Sequence, residues 1–101
     1  MQANYTVNGA VAVIVLTGRF DFNSHRVFRE IIDKAIAESV VRKLTLDFHG
    51  VDYIDSSALG MLMLLKEKAD AASKQVALAN CSGTARQVLD IANFSKLFTM
   101  E

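Results

Sequence analysis

Two adjacent serines follow an aspartate in Val51-Asp-Tyr-Ile-Asp-Ser-Ser-Ala-Leu-Gly60, where one apolar run stops and another begins. Three chemistries are open to hydroxyls in such a place. The first is helix capping, for which aspartate and serine are favoured residues and which the local pattern alone supports best. The second is nucleophilic catalysis, which needs a base within hydrogen-bond reach. No Gly-x-Ser-x-Gly elbow is present, and the two histidines, His25 and His49, have no orienting carboxylate at a telling spacing. The third is acceptance of a phosphoryl group, which asks only that the hydroxyl be exposed, because a kinase brings the nucleotide and the catalytic groups. At a helix start the phosphate would meet unsatisfied N–H groups and the positive end of the dipole, opposed by the charge of Asp55.

Other reactive residue types point to plainer roles. Asp47 and Asp55 belong to no cluster with ligand spacing, so turn and cap roles are expected and no metal is. A glycine-rich phosphate loop with its lysine is absent, and no cofactor is expected. Cys81 reads as a small packed side chain. Met61 and Met63 read as core filling, with Met63 able to border a contact surface, and Lys66 and Lys68 as a solvated helix face.

The elements that must position Ser56 and Ser57 follow from hydrophobic periodicity. Residues 5–7 and 10–16 read as strands around an Asn8-Gly9 turn. Residues 11–16 are apolar at every position, the pattern of an interior strand covered on both faces. Asn23 or Ser24 caps a helix whose apolar side carries Phe28, Ile31, Ile32, Ala35 and Ile36. Residues 43–48 alternate as a strand, with Leu44, Leu46 and Phe48 on one side. Residues 56–72 are strong helix formers without proline or a β-branched side chain. They are apolar almost all round through Leu65, so the N-terminal half of that helix is expected to be buried. Residues 76–79 form a further short strand. Thr84 to Gln87 has capping-box spacing for a third helix, with Val88, Leu89 and Ile91 facing inward and Asn93 ending it in the left-handed conformation. Residues 97–99 add a last short strand or turn.

The order β-β-α-β-α-β-α specifies an α/β domain with a mixed, mostly parallel sheet and helices packed against it. Functional loops in such sheets lie beyond the carboxyl ends of the parallel strands. The segment Gly18-Arg-Phe-Asp-Phe-Asn23 and the segment around Ser56 both occupy that position, so they are expected to meet. Phe20 is expected in the core, and Asp21 and Phe22 on a partner surface.

Composition bounds the partners. A chain of 101 residues, 51% apolar, is enough for one domain over residues 1–101 without disulfides or metal. Eleven acidic and eleven basic residues cancel, which leaves no field to draw the chain directly onto nucleic acid or an anionic membrane. The lone Cys81 and the absence of a signal-peptide pattern lead to a cytoplasmic address. No apolar run approaches the roughly 20 residues that span a bilayer.

The segment from Val51 to Gly60, preceded by Leu44-Thr-Leu-Asp-Phe48 and Gly18-Arg-Phe-Asp21, resembles the STAS domain of bacterial anti-sigma factor antagonists. The likeness continues through Val88-Leu-Asp-Ile91 and Leu97-Phe98. It implies the STAS fold and a phosphoacceptor at Ser56, the first serine of the pair, with Ser57 as the alternative. It further implies an anti-sigma factor that is also the serine kinase, a PP2C-type phosphatase that reverses the step, and an unphosphorylated form that binds the anti-sigma factor. The expected partner surface comprises Asp21, Phe22, Asp55, Ser56, Ser57, Leu59 and Met63, on a non-enzymatic chain that is monomeric when free. Ala58 stands where the family often has glycine, and its higher helix propensity stiffens the site without removing the acceptor. The alternatives are an accessory STAS subunit of an ABC-type lipid transporter and the STAS domain of an anion transporter.

Overall fold

The computed structural model describes all of residues 1–101. In chain order it holds β1 (Gln2–Asn8), β2 (Val11–Phe20), α1 (His25–Ala37), β3 (Lys43–Ile54), α2 (Ser56–Ala71), β4 (Gln75–Ala79), α3 (Gly83–Ile91) and β5 (Thr99–Met100), with 3-10 turns at Phe22–Ser24 and Phe94–Lys96. The five strands form one sheet in the order β1-β2-β3-β4-β5. Strand β1 is antiparallel to β2, and all other neighbours are parallel. The expected mixed sheet is therefore present, and its last member is β5. No helix is long and apolar enough to cross a membrane.

Local chemistry explains the turns. Gly9 follows Asn8 with φ +63°, between the paired residues Asn8 and Val11, in a region that glycine enters without steric cost. Asn93 adopts the expected left-handed conformation after α3, at φ 60° and ψ 34°.

One face of the sheet carries the core. Ala12, Ile14, Leu16, Leu44, Leu46, Phe48 and Leu78 join buried residues from each of the three helices in a single cluster. The opposite side of β2, carried by Val11, Val13 and Val15, is half-buried and stands outside that cluster. Covering on both faces is thus corrected to covering on one. Neighbouring strands shield part of each valine, and β-branched side chains suit a pleated surface whether or not a second layer covers it.

Strands β2 and β3 run past Leu16 to Phe20 and past Phe48 to Ile54. Register shifts between Val15 and Thr17 and between Gly18 and Arg19 give β3 extra residues against β2, which breaks the alternation that marks a strand in sequence. At Gly50 the two strands come so close that an added Cβ would lie 2.7 Å from Thr17 Cγ2.

Three helix expectations need correction. Ser24 precedes α1 but makes no side-chain cap bond there. Helix α2 is not buried all round in its N-terminal half, because Met63 is 41% and Leu64 46% exposed. Helix α3 begins at Gly83, one residue before Thr84, so the capping box does not form. Its buried stripe is Ala85 and Leu89, and Ile91, about 200° further round at 3.6 residues per turn, is 83% exposed.

Candidate functional site

Phe20 and Ile54 are register partners at the ends of β2 and β3, so the loops that follow them leave the sheet side by side. Phe20 is fully buried as expected and packs against Phe28 and Phe48, with ring centroids 4.9 and 6.2 Å away. This fixes the root of the first loop. The backbone N–H of Asp55 donates to the Phe20 carbonyl at 3.2 Å, which ties the root of the second loop to it.

The first loop is held by its own polar groups. Asp21 Oδ1 accepts the Asn23 N–H at 3.0 Å, and the Asp21 N–H donates to Ser24 Oγ at 3.1 Å. The Ser24 hydroxyl in turn donates to the Arg19 carbonyl at 3.1 Å and is 1% exposed. Arg19 lies over the Tyr53 ring, 3.9 Å from its centroid. With its ring in solvent, Phe22 is 68% exposed and meets the His25 imidazole edge-on at 5.9 Å.

Asp55 joins the two loops. Its Oδ1 accepts the Ala58 N–H at 3.0 Å, capping α2, while its Oδ2 accepts the Phe22 N–H at 3.3 Å. Both carboxylate oxygens are thereby engaged by the backbone. Ser56 is the first residue of α2 and exposed, and Ser57 is half-buried behind it. Neither hydroxyl enters the bonds that hold the loop. As at any helix start, the first N–H groups have no intrahelical acceptor, and the positive end of the dipole lies there.

The structure brings Asp21, Phe22, Asp55, Ser56 and Ser57 to one end of the sheet. Asp21 and Asp55 spend their carboxylates on the loops. Leu59 is partly buried against the core, and Met63 stands further along α2, about 10 Å from Ser56 at 1.5 Å per residue. Asp47 is not at a turn or a cap but within β3, where its carboxylate accepts from the His49 N–H at 2.9 Å and from Asn80 Nδ2 at 3.0 Å. Burial pushes the Cys81 thiol up to about 11, consistent with a packed, unreactive side chain.

Sequence reasoning missed two features. Ser24 carries its loop through a capping box of the form Asp-x-x-Ser, whose spacing is visible in sequence although its residue types are not the usual ones. Lys74 is 7% exposed and donates to the carbonyls of Glu38 and Val41 beyond the end of α1. Nothing in its neighbourhood in sequence signals that burial.

The STAS domain family profile matches residues 2–101. A STAS-domain containing protein of Pseudomonas aeruginosa is 40% identical over 93 residues, which cover 92% of this chain and 90% of the relative. The anti-sigma factor antagonist SpoIIAA in its unphosphorylated form matches with a TM-score of 0.69 at 26% identity, over 88% of this chain and 82% of that one. The Bacillus protein has also been solved in its phosphorylated form, which matches at 0.73 and 23% identity over 98% and 90% of the two chains. The fold extends to transporters. The STAS domain of a SulP transporter from Vibrio cholerae matches at 0.71 and 21% identity, over 91% of this chain and 70% of that one.

Proposed function

The chain belongs to the STAS-domain family, and from that premise we propose that it is an anti-sigma factor antagonist switched by phosphorylation of Ser56. The observation that carries this reading is the exposed Ser56 hydroxyl at the first position of α2, left free while Asp55 beside it does the capping. In its unmodified form the protein binds an anti-sigma factor that is also a serine kinase, and a PP2C-type phosphatase restores that form. The acting unit is the single domain of residues 1–101, working in the cytoplasm and monomeric when free. The partner surface centres on Phe22, Ser56, Ser57 and Met63, with Asp21, Asp55 and Leu59 as its framework.

The energetics suit a switch. Phosphate adds about −1.5 to −2 charges at the helix start. The dipole of α2 offsets part of that charge inside the folded chain, whereas a docked partner would have to desolvate it. A penalty of roughly 3 kcal/mol weakens binding by about 100-fold. The protein is then a substrate of enzymes and has no kinase or hydrolase activity of its own.

The test is phosphosite mapping after incubation with the cognate kinase, together with calorimetric titration of that partner. Ser56→Ala is expected to bind without regulation, and Ser56→Asp to bind poorly while remaining folded. Phosphate on Ser57 alone, or equal affinity of the modified and unmodified proteins, overturns the reading, as does phosphate incorporation from ATP by the purified chain alone. A second reading is favoured by the fold shared with transporter STAS domains: docking to a permease or its ATPase, recognised by copurification with them and no phosphate on Ser56.

A further inference from the structure

A strand at the edge of a sheet is a template for pairing unless something protects it, and the two edges of this sheet differ. Strand β5 is protected by its shortness, with only Thr99 and Met100 in the sheet. Strand β1 has none of the usual protection. It pairs with β2 over seven residues, Gln2–Asn8, in a regular register without a bulge. The segment Gln2-Ala-Asn-Tyr-Thr-Val-Asn8 holds no charge and no proline.

The hairpin fixes which backbone groups of this edge are left over. Its two-residue loop, Gly9 and Ala10, makes Asn8 and Val11 the first hydrogen-bonded pair, and such pairs recur at every second position of an antiparallel ladder. Gln2, Asn4, Thr6 and Asn8 therefore bond to β2, while the N–H and C=O groups of Ala3, Tyr5 and Val7 point away from the sheet. No backbone hydrogen bond from a turn, loop or cap reaches them. The Ala10 carbonyl accepts from Arg42 and Lys43 on the β3 side, which agrees with this alternation.

A groove of about 350 Å³ runs beside the same edge. One wall is Ala3 and Tyr5 of β1, and the other is Val27, Glu30, Ile31 and Lys34, a single stripe of α1. Ala3, Tyr5 and Val27 are each half-buried and so still present apolar surface, with Ile31 deeper at 7% exposure.

We propose that β1 receives an extended segment of another protein as an added antiparallel strand, with a large apolar side chain of that segment in this groove. The edge itself specifies the occupant, because only an extended chain carries donors and acceptors at the repeat of Ala3, Tyr5 and Val7. Main-chain bonds then supply affinity and the groove supplies selectivity. Residues directly opposite each other in a ladder share a face, so the side chain that enters the groove is the one opposite Tyr5. A second copy of β1 fits less well. Centred on that residue it would set Tyr5 against Tyr5, whose hydroxyl already donates to Glu38 at 3.2 Å, and leave Ala3 and Val7 to fill the space. No residue of this edge or groove belongs to the partner surface proposed around Ser56.

The experiment is NMR titration with amide exchange on the whole 101-residue chain, using the peptide acetyl-Lys-Thr-Thr-Leu-Thr-Thr-Thr-amide. In the free chain the amides of Ala3, Tyr5 and Val7 are expected to exchange faster than those of Asn4 and Thr6. Saturable shifts centred on β1 are expected with a dissociation constant on the order of 100 µM, and exchange at Ala3, Tyr5 and Val7 is expected to slow on saturation. N-methylation of the leucine removes a bond to Tyr5 and is expected to weaken binding by about tenfold or more. N-methylation of the threonine before it, whose N–H points away from β1, is expected to leave affinity within about twofold. Val27→Asp puts a charge in the groove from the first turn of α1, where an acid suits the helix, and is expected to weaken binding by about tenfold with the circular dichroism unchanged. Absence of saturable shifts up to about 1 mM peptide, shifts centred away from β1, equal losses from the two methylations, or unchanged affinity in folded Val27→Asp overturns the proposal. Dimerisation of the free chain with protection of the same amides would give the edge to a second copy and also overturns it.

Discussion

The β2–α1 and β3–α2 loops are built alike. Each opens with an aspartate whose carboxylate accepts a backbone N–H of the helical turn that follows, Asp21 from Asn23 and Asp55 from Ala58. Each has a serine close behind. In the first loop that serine is structural: Ser24 is buried, with its hydroxyl accepting from one backbone group and donating to another. In the second, Ser56 is exposed and the loop does not depend on its hydroxyl. A hydroxyl that holds backbone cannot change its charge without breaking what it holds. Because Asp55 takes the capping duty, Ser56 is free to carry a modification.

The sharpest way to break this comparison is to place a charge in each loop. Ser24→Asp puts an acceptor-only carboxylate against the Arg19 carbonyl in a buried site, and urea denaturation is expected to show a loss of about 3 kcal/mol or more. Ser56→Asp is expected to change stability by no more than about 0.5 kcal/mol in the same measurement. Similar losses for both would end the distinction between the serines.

Asp55→Ala comes next, with an expected loss of about 2 kcal/mol, because it removes the α2 cap and the bond that joins the loops. Asp21→Ala removes the cap bond within its own loop and an exposed ion pair with Arg19, and is expected to cost about 1 kcal/mol. Equal costs would mean that the bond between loops contributes nothing. Smaller again is the contrast between alanine substitutions, read from the same denaturation curves: about 1.5 kcal/mol lost for Ser24→Ala, which strips the Asp21 N–H of its acceptor, against less than about 0.5 for Ser56→Ala.

How much of this was legible depends on the length scale of each signal. The Asn8-Gly9 turn, the left-handed Asn93 and the cap ahead of α2 are set by neighbouring residues, and all three appear where local chemistry puts them. The extension of β2 and β3 was not legible. Its register shifts make β3 bury Phe48, Val51 and Ile54, a spacing of three where a strand repeats every two. The exposure of Leu64 escaped for a different reason. Hydrophobicity around a helix records that apolar residues are present, but which of them remain uncovered depends on how α1 is placed beside α2, and that is a tertiary fact. Lys74 is the extreme case, since its acceptors at Glu38 and Val41 lie more than thirty positions away.

The bond from the Phe22 N–H to Asp55 provides a built-in gauge of motion. The ring of Phe22 is in solvent, yet its amide hydrogen is held by a carboxylate 33 positions along the chain. If the two loops part while the sheet stays intact, that hydrogen becomes free to exchange with water, whereas the amides between β2 and β3 remain protected until the whole fold opens. Deuterium uptake at this one position therefore counts loop separations, and comparing it with uptake in the strands tells breathing of the site apart from unfolding of the domain.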